Sequence, residues 1–368
     1  MKKILFITPF VPDDHGGGGT SYTKCLLSEL TKFSIIDLVY FRYNNSGHYV
    51  HTNSNIKIVK EYTIKKFDKL FSLLSIPWLF PLFSARFRWN IKMELQQLID
   101  RNGYDIVYFD FGQTFAYARY LAHPNKLLMA HDVIGQKYFR ARRYLYLWAK
   151  WSERIMLKSA NAIFTFSEKD CKLYEEWYGV KCLSTTFFLN DLVQKATPDN
   201  CGDYFVMFGS WGRYENYGAL EWLIDNVADK LKPGTLIKIV GGGKMPANLI
   251  SRIEASPLFE YIGFMDNPYD IIANAKAEIA PLTKGAGVKV KCVEALACGT
   301  PIIGSEVAFE GIPSEFSDFL ILAHTAEEYA TLINRIDLPL DTRLSFKANF
   351  CKCYNDKNVL KYINGDMC

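Results

Sequence analysis

A chain of 368 residues with 49% hydrophobic and 22% charged residues has the composition of a globular protein, long enough for two domains. Its net charge of +4 is too small to argue for nucleic acid, and no window reaches the roughly 18 apolar residues of a membrane span. The nine cysteines include no C-x-x-C pair, and Cys351 and Cys353 have the wrong spacing for a zinc knuckle, so they read as mostly buried thiols in a reducing cytosol.

Met1-Lys2-Lys3 followed by an apolar run has the outline of a signal peptide, but the run is too short and Pro12-Asp13-Asp14-His15 follow it. Residues 4–8 instead predict a buried strand. A loop ending in four glycines, Gly16 to Gly19, comes next, then a helix with Leu26, Leu27 and Leu30 on its inner face. This opens like a nucleotide-binding fold but lacks the G-x-G-x-x-G dinucleotide fingerprint, which disfavours a Rossmann dehydrogenase. Strands are expected at residues 37–41 and 55–59. Residues 65–89 are then basic and rich in Phe and Trp around an apolar stretch broken by Pro77 and Pro81, and residues 137–151 have a similar composition. Segments of this kind suit the interface of an anionic membrane leaflet; packed aromatics with a charged helix surface are the other reading. Further strands are expected at residues 104–109, with Asp110 and Gln113 at the edge, at 127–131, ending in His131-Asp132, at 162–166, with Ser167 capping the next helix, and at 187–189. Ligands of open α/β sheets bind beyond the carboxyl ends of strands, which places His131 and Asp132 where chemistry would occur.

Residues 191–203 are polar, with Pro198 and Gly202, and predict the linker. Residues 204–208 predict a strand that ends in Gly209-Ser210, with Arg213 and Asn216 in the loop beyond and a helix over 218–227. A strand at 236–240 runs into Gly241-Gly242-Gly243, whose lack of side chains lets a helix or ligand approach. A short strand and turn covers Gly263 and Phe264, and residues 268–275 predict a helix. Residues 281–303, PLTKGAGVKVKCVEALACGTPII, carry the strongest signal. A strand at 277–281 leads to a loop with Gly285 and Gly287, then to helical spacing from Val288 to Cys298, stopped by Gly299-Thr300-Pro301 before a strand at 302–304. Helix N-termini attract anions, and Lys289 and Lys291 in the first turn are cations set against the dipole, a placement a bound diphosphate would explain. Glu294, one turn on, suits a ribose diol. Residues 326–336 and 345–362 predict the last helices, and no internal repeat is evident.

This motif resembles the donor-nucleotide signature of the GT-B, retaining glycosyltransferases of family 4, in a Gly-rich G-x-G-x-K-x-K-x-x-E variant. The resemblance is dense from Tyr204 to Pro313 and mainly architectural over the first 190 residues. It implies two Rossmann-like, doubly wound α/β domains facing a cleft: residues 1–195 for the acceptor and 200–340 for the nucleotide-sugar, with a C-terminal helix, 343–368, crossing back to the first. Carried over, Lys289 and Lys291 contact the diphosphate and Glu294 the ribose. Gly285, Gly287 and Val288 line the loop, Ser210 and Arg213 face the phosphates, Gly263 and Phe264 meet the base, Gly17 and Gly18 approach the donor phosphates and acceptor, and His131 with Asp132 faces the transferred sugar. Many members carry a second glutamate eight positions before Glu294, where this chain has Ala286.

The implied reaction is metal-independent sugar transfer, with retention, from a UDP-sugar or another nucleotide-sugar to a saccharide or lipid-linked acceptor in bacterial surface polysaccharide synthesis. It needs no cofactor, and the enzyme would sit in the cytoplasm, peripheral on the inner membrane face through residues 65–92 and 137–151. No carboxylate pair suggests a double displacement. A non-catalytic membrane-bound scaffold and a nucleotide-sugar epimerase are the alternatives.

Overall fold

In the computed structural model, which describes residues 1–13, 18–44 and 46–366, the apolar run after Lys3 forms β1 (Lys2–Thr8), with Ile4 to Ile7 wholly buried. Strands buried on both faces form near-continuous apolar runs, and such strands pair in parallel under helices. β2 (Ser34–Tyr43), β3 (Ile56–Ile64), β4 (Ile106–Asp110), β5 (Lys126–Ala130), β6 (Ala162–Thr165) and β7 (Leu183–Ser184) complete a seven-stranded parallel sheet of order β3-β2-β1-β4-β5-β6-β7. A second parallel sheet contains β8 (Phe205–Phe208), β9 (Ile237–Val240), β10 (Phe259–Gly263), β11 (Glu278–Ala280), β12 (Ile302–Gly304) and β13 (Leu320–Leu322), in the order β10-β9-β8-β11-β12-β13. Each sheet grows outward from its first strand and then reverses, so each is doubly wound, with its topological switch point at β1/β4 or at β8/β11.

The chain divides into two compact units, Met1–Phe188 with Asp356–Cys368, and Leu189–Asn355. The boundary therefore falls before the expected linker. Asn190 caps a short helix, Asp191–Lys195, by accepting from the Val193 amide, and this helix belongs to the second unit. Residues 187–189 are irregular rather than a strand; the edge is β7. The expected C-terminal helix is two helices. Leu340–Cys353 lies in the second unit, and Asn358–Asn364 lies in the first. The break is stitched to the chain after β7. The Asp356 carbonyl accepts from the Thr186 amide, the Asn358 side chain donates to Ser184 O, and Lys357 Nζ donates to Thr186 Oγ1.

The two basic aromatic segments split between core and surface. Ile76, Leu79, Phe80, Phe83 and Phe87 pack into the core of the first unit. Helix Lys66–Ser75 instead turns Phe67, Leu70, Phe71 and Leu74 outward, each more than half exposed, and Trp78 and Trp89 are also exposed. Leu147, Trp148 and Trp151 project from helix Tyr146–Leu157. The two patches meet where Trp148 Nε1 donates to Trp78 O at 2.7 Å. Among the described residues, no helix is long and apolar enough to cross a membrane.

Candidate functional site

In the second unit the sequence-predicted residues gather at the carboxyl ends of β8, β10 and β11. The turn after β8 packs on the glycines after β9. A Cβ on Gly241, whose φ is +120°, would lie 2.0 Å from Gly209 O, so the close approach this glycine permits is that of the chain's own turn. The Trp211 amide donates to Gly242 O at 2.7 Å, and the Gly241 amide donates to Gly263 O at 2.8 Å, lacing the ends of β8, β9 and β10 together. Helix Tyr214–Asn226 begins earlier than expected. Arg213 is consequently its exposed N-cap residue, while Asn216 lies inside the helix and donates from its side chain to Ser210 O. Phe264, beyond Gly263, is 63% exposed, a flat apolar surface at the rim.

The loop after β11 turns through Gly285 and Gly287, both with positive φ, and enters helix Val290–Ala297. Lys284 Nζ lies 4.3 Å over the Tyr214 ring, which brings this loop beside the Ser210–Arg213 turn. Lys289 is the extended N-cap residue, not part of the first turn. Its Nζ curls back to donate to Gly287 O at 2.6 Å. Val288 is buried beneath the loop. The two cations set against the helix dipole have partners within the protein. Lys289 Nζ stands 3.8 Å from Glu310 Oε2, and Lys291 Nζ stands 3.8 Å from Glu278 Oε1. Tyr269 OH lies 3.0 Å from Glu294 Oε1, and burial pushes the Glu294 carboxyl up to about 7.

In the first unit, Gly18 opens helix Gly18–Leu30, and Gly17 lies outside the described residues. His131 follows β5, but Asp110 at the end of β4, not Asp132, is its carboxylate partner. Asp110 is wholly buried and accepts from Thr8 Oγ1 (3.1 Å), Thr23 Oγ1 (2.6 Å) and His131 Nε2 (2.8 Å). An ionised carboxylate only accepts, so His131 Nε2 is the donor of this bond. The ring stacks on Phe111 at 3.5 Å between centroids, and Phe111 holds φ = +59°, a costly backbone for a side-chain-bearing residue. A Cβ on Gly19 would meet the tip of the Phe111 ring at 2.8 Å, so any larger residue there would push this stack out of place. Asp132 pairs with Lys137 at 3.1 Å, and the helix that follows, Ile134–Ala141, is anchored by buried Glu153, which accepts from the Ile134 and Gly135 amides. Burial raises the Glu153 carboxyl to about 7 against the pull of those donors.

Sequence reasoning placed Asp110 at a strand edge without joining it to His131, named Gly19 and Glu310 within longer stretches without giving either a role of its own, and did not single out Glu278. For Glu278 the signal was present: an acid inside the otherwise apolar run of residues 277–281. Among the described residues, no group of three His, Cys, Asp or Glu side chains is placed to hold a metal ion.

Two doubly wound parallel-sheet units with loops at both switch points define the GT-B fold. Residues 203–336 match the family model described as glycosyl transferases group 1. The chain is similar to the solved structure of sucrose-phosphate synthase from Thermosynechococcus elongatus, with 15% identity, a TM-score of 0.73, and coverage of 100% of this chain and 98% of that one. It is similar to TarM from S. aureus in complex with fondaparinux, α-GlcNAc-glycerol and UDP (14% identity, TM-score 0.70, 99% of each chain covered). It is also similar to the lipopolysaccharide outer core galactosyltransferase WaaB (14% identity, TM-score 0.65, 99% of this chain and 100% of that one). Among curated proteins, none matches its sequence. The matched domain and the fold are those of a glycosyltransferase.

Proposed function

We propose that this protein is a retaining glycosyltransferase of the family 4 type that moves a sugar from a UDP-sugar to a saccharide or lipid-linked saccharide acceptor in bacterial surface polysaccharide synthesis. The observation that carries the reading is the loop through Gly285 and Gly287 at the β8/β11 switch point, which delivers Lys289 and Lys291 to the start of helix Val290–Ala297. Charge grows on the β-phosphate as the sugar leaves, and preorganised amides and cations aimed there stabilise that charge most in the transition state. In this reading Lys289, Lys291 and the helix start supply them. Glu294 takes the ribose, Phe264 and Gly263 the base, and Ser210 and Arg213 the phosphates. Gly17 and Gly18 would approach the donor phosphates and the acceptor, and His131 and Asp132 face the sugar, with Asp110 fixing the His131 ring. The protein's own cations replace a metal, and no cofactor takes part. The complexes with UDP among the structural neighbours support the choice of nucleotide.

Thermal unfolding with UDP, GDP, ADP, CMP and NAD tests the donor. A ligand at about 100 times its dissociation constant adds roughly 2.7 kcal/mol, enough to move the midpoint by several degrees. A shift with UDP is expected. A shift with none of the five in a folded protein would turn the reading toward the non-catalytic scaffold.

The exposed face of helix Lys66–Ser75, with Trp78, Trp148 and Trp151, supports attachment to an anionic membrane surface on the cytoplasmic side. Arg88, Lys92, Arg140, Arg142 and Arg143 lie in or beside the same segments. Co-sedimentation with vesicles containing anionic lipid is expected, weakening with salt, and Phe71→Ser with Leu74→Ser should cut the bound fraction several-fold. Equal recovery with and without vesicles would refute it.

A further inference from the structure

Glu278 has no part in the reading above. It opens β11 between Val206 of β8 and Ile302 of β12, and it is 0% exposed. Among the described residues, neither of its carboxylate oxygens has a hydrogen-bond partner, and the 3.8 Å to Lys291 Nζ is an ion-pair distance too long for a hydrogen bond. A carboxylate buried in this state is costly, and an apolar side chain would suit a two-sided parallel strand better. The other titratable groups around it come mainly from helix Val290–Ala297, which carries Lys291. They are Cys292 and Glu294, with Tyr269 on Glu294 and with Tyr329 and Lys289 near Cys292. The facing positions of β8 and β12 are apolar.

We infer that Glu278 is an internal counter-ion for Lys291, that the donor's diphosphate competes with it for that lysine, and that Glu278 takes up one proton from solvent when the diphosphate binds. This rests on the reading of Lys291 as a diphosphate contact. Without ligand, the pair neutralises a cation that the helix dipole disfavours. When the diphosphate draws on Lys291, the buried carboxylate loses its compensation, and its neutral form becomes the stable one. Burial has already lifted the Glu278 carboxyl to about 7 against the pull of Lys291, so the proton is accessible near neutral pH. The sign follows from linkage. Binding raises this group's pKa, so the linked affinity is fully present below the ligand-free value of about 7 and is lost as pH rises through the higher ligand-bound value, by about tenfold per unit of difference.

Calorimetric titration of the full chain with UDP, in buffers of differing ionisation enthalpy at about pH 7.5 to 9, lies above the range in which phosphate itself titrates. The wild type should take up a proton fraction of about one half or more and lose affinity as pH rises. Glu278→Gln, of the same shape and without the charge, should take up less than wild type by about that proton fraction, bind UDP about tenfold more tightly and lose affinity less steeply as pH rises, with Glu294 left as the other linked carboxyl. Equal uptake and affinity in Glu278→Gln and wild type would overturn the inference, as would a pH-independent wild-type affinity, which requires no variant to fold. The double variant Glu278→Gln with Lys291→Met leaves no buried charge alone and separates the two readings. If it binds UDP as tightly as Glu278→Gln, Lys291 does not meet the diphosphate and the donor-site reading itself fails. If it binds more weakly while Glu278→Gln matches wild type, only the counter-ion role fails.

Discussion

Lys289→Ala is expected to lower kcat for sugar transfer by about 10²-fold or more, the size of losing one preorganised stabiliser of transition-state charge. The side chain is already fixed by the protein. Its ammonium folds over Gly285 and donates to Gly287 O, and Glu310 stands 3.8 Å away. An extended N-cap residue whose side chain returns to its own loop gives a fixed cation at the place where helix amides converge, so little reorganisation remains for the moment of reaction. Lys289→Arg should recover part of the rate, because charge rather than shape is the main requirement. If, as proposed, the cationic side chains take the place of a metal, the same assay run in EDTA should keep its rate. Near-normal turnover in Lys289→Ala, with an unchanged melting curve, would remove the phosphate role. Collapse of the rate in EDTA would remove the metal-independent one.

Arg343→Met is expected to destabilise the second unit by about 3 kcal/mol, lowering its unfolding midpoint by roughly 6–12 °C. Arg343 is 1% exposed and lies on helix Leu340–Cys353. Its guanidinium donates to Gly299 O, Ala273 O and Thr300 Oγ1, which ties the end of helix Tyr269–Asn274 to the end of helix Val290–Ala297. Lys347, one turn further on, adds donors to Ala196 O and Ala297 O. Methionine keeps the stem but leaves buried carbonyls without donors, at about 1–3 kcal/mol each, partly offset because no charge remains to be buried. Thermal or urea unfolding reads the effect. A midpoint within a degree of wild type would show that these carbonyls find other donors.

Both predictions concern one local unit seen from two sides. The sequence showed the unit itself, because its signals are local. The apolar run of β11, the glycines at 285 and 287, the helical spacing after Val288 and the stop at Gly299 each act on neighbouring residues. The same holds for Ile4–Ile7 in β1, and for Ser167, whose side chain caps the helix after β6 by accepting from the Asp170 amide. Strand existence, parallel pairing and the two nucleotide-type halves follow from such signals, because burial on both faces of a strand leaves a one-dimensional record.

What that record omits is which side chain meets which across crossovers. Asp110 and His131 are 21 residues apart and meet because β4 and β5 are neighbours in register, while the adjacent Asp132 turns to Lys137. Glu310 reaches Lys289, and Glu278 reaches Lys291, through the winding of strands around one helix. The apolar residues of 65–89 divide into core and surface only when Phe80, Phe83 and Phe87 find the first unit's interior, leaving the face of helix Lys66–Ser75 outside. The C-terminal stretch reads as one helix in sequence. It becomes two because the Asp356 carbonyl and Lys357 are claimed by Thr186, a bond between residues about half the chain apart. Local signals thus gave most of the strands and the loop and helix of the motif, but not the short edge strands β7 and β13 or the break in the C-terminal helix. The register of distant strands, which no window of sequence contains, decided the charge partners and the unit boundaries.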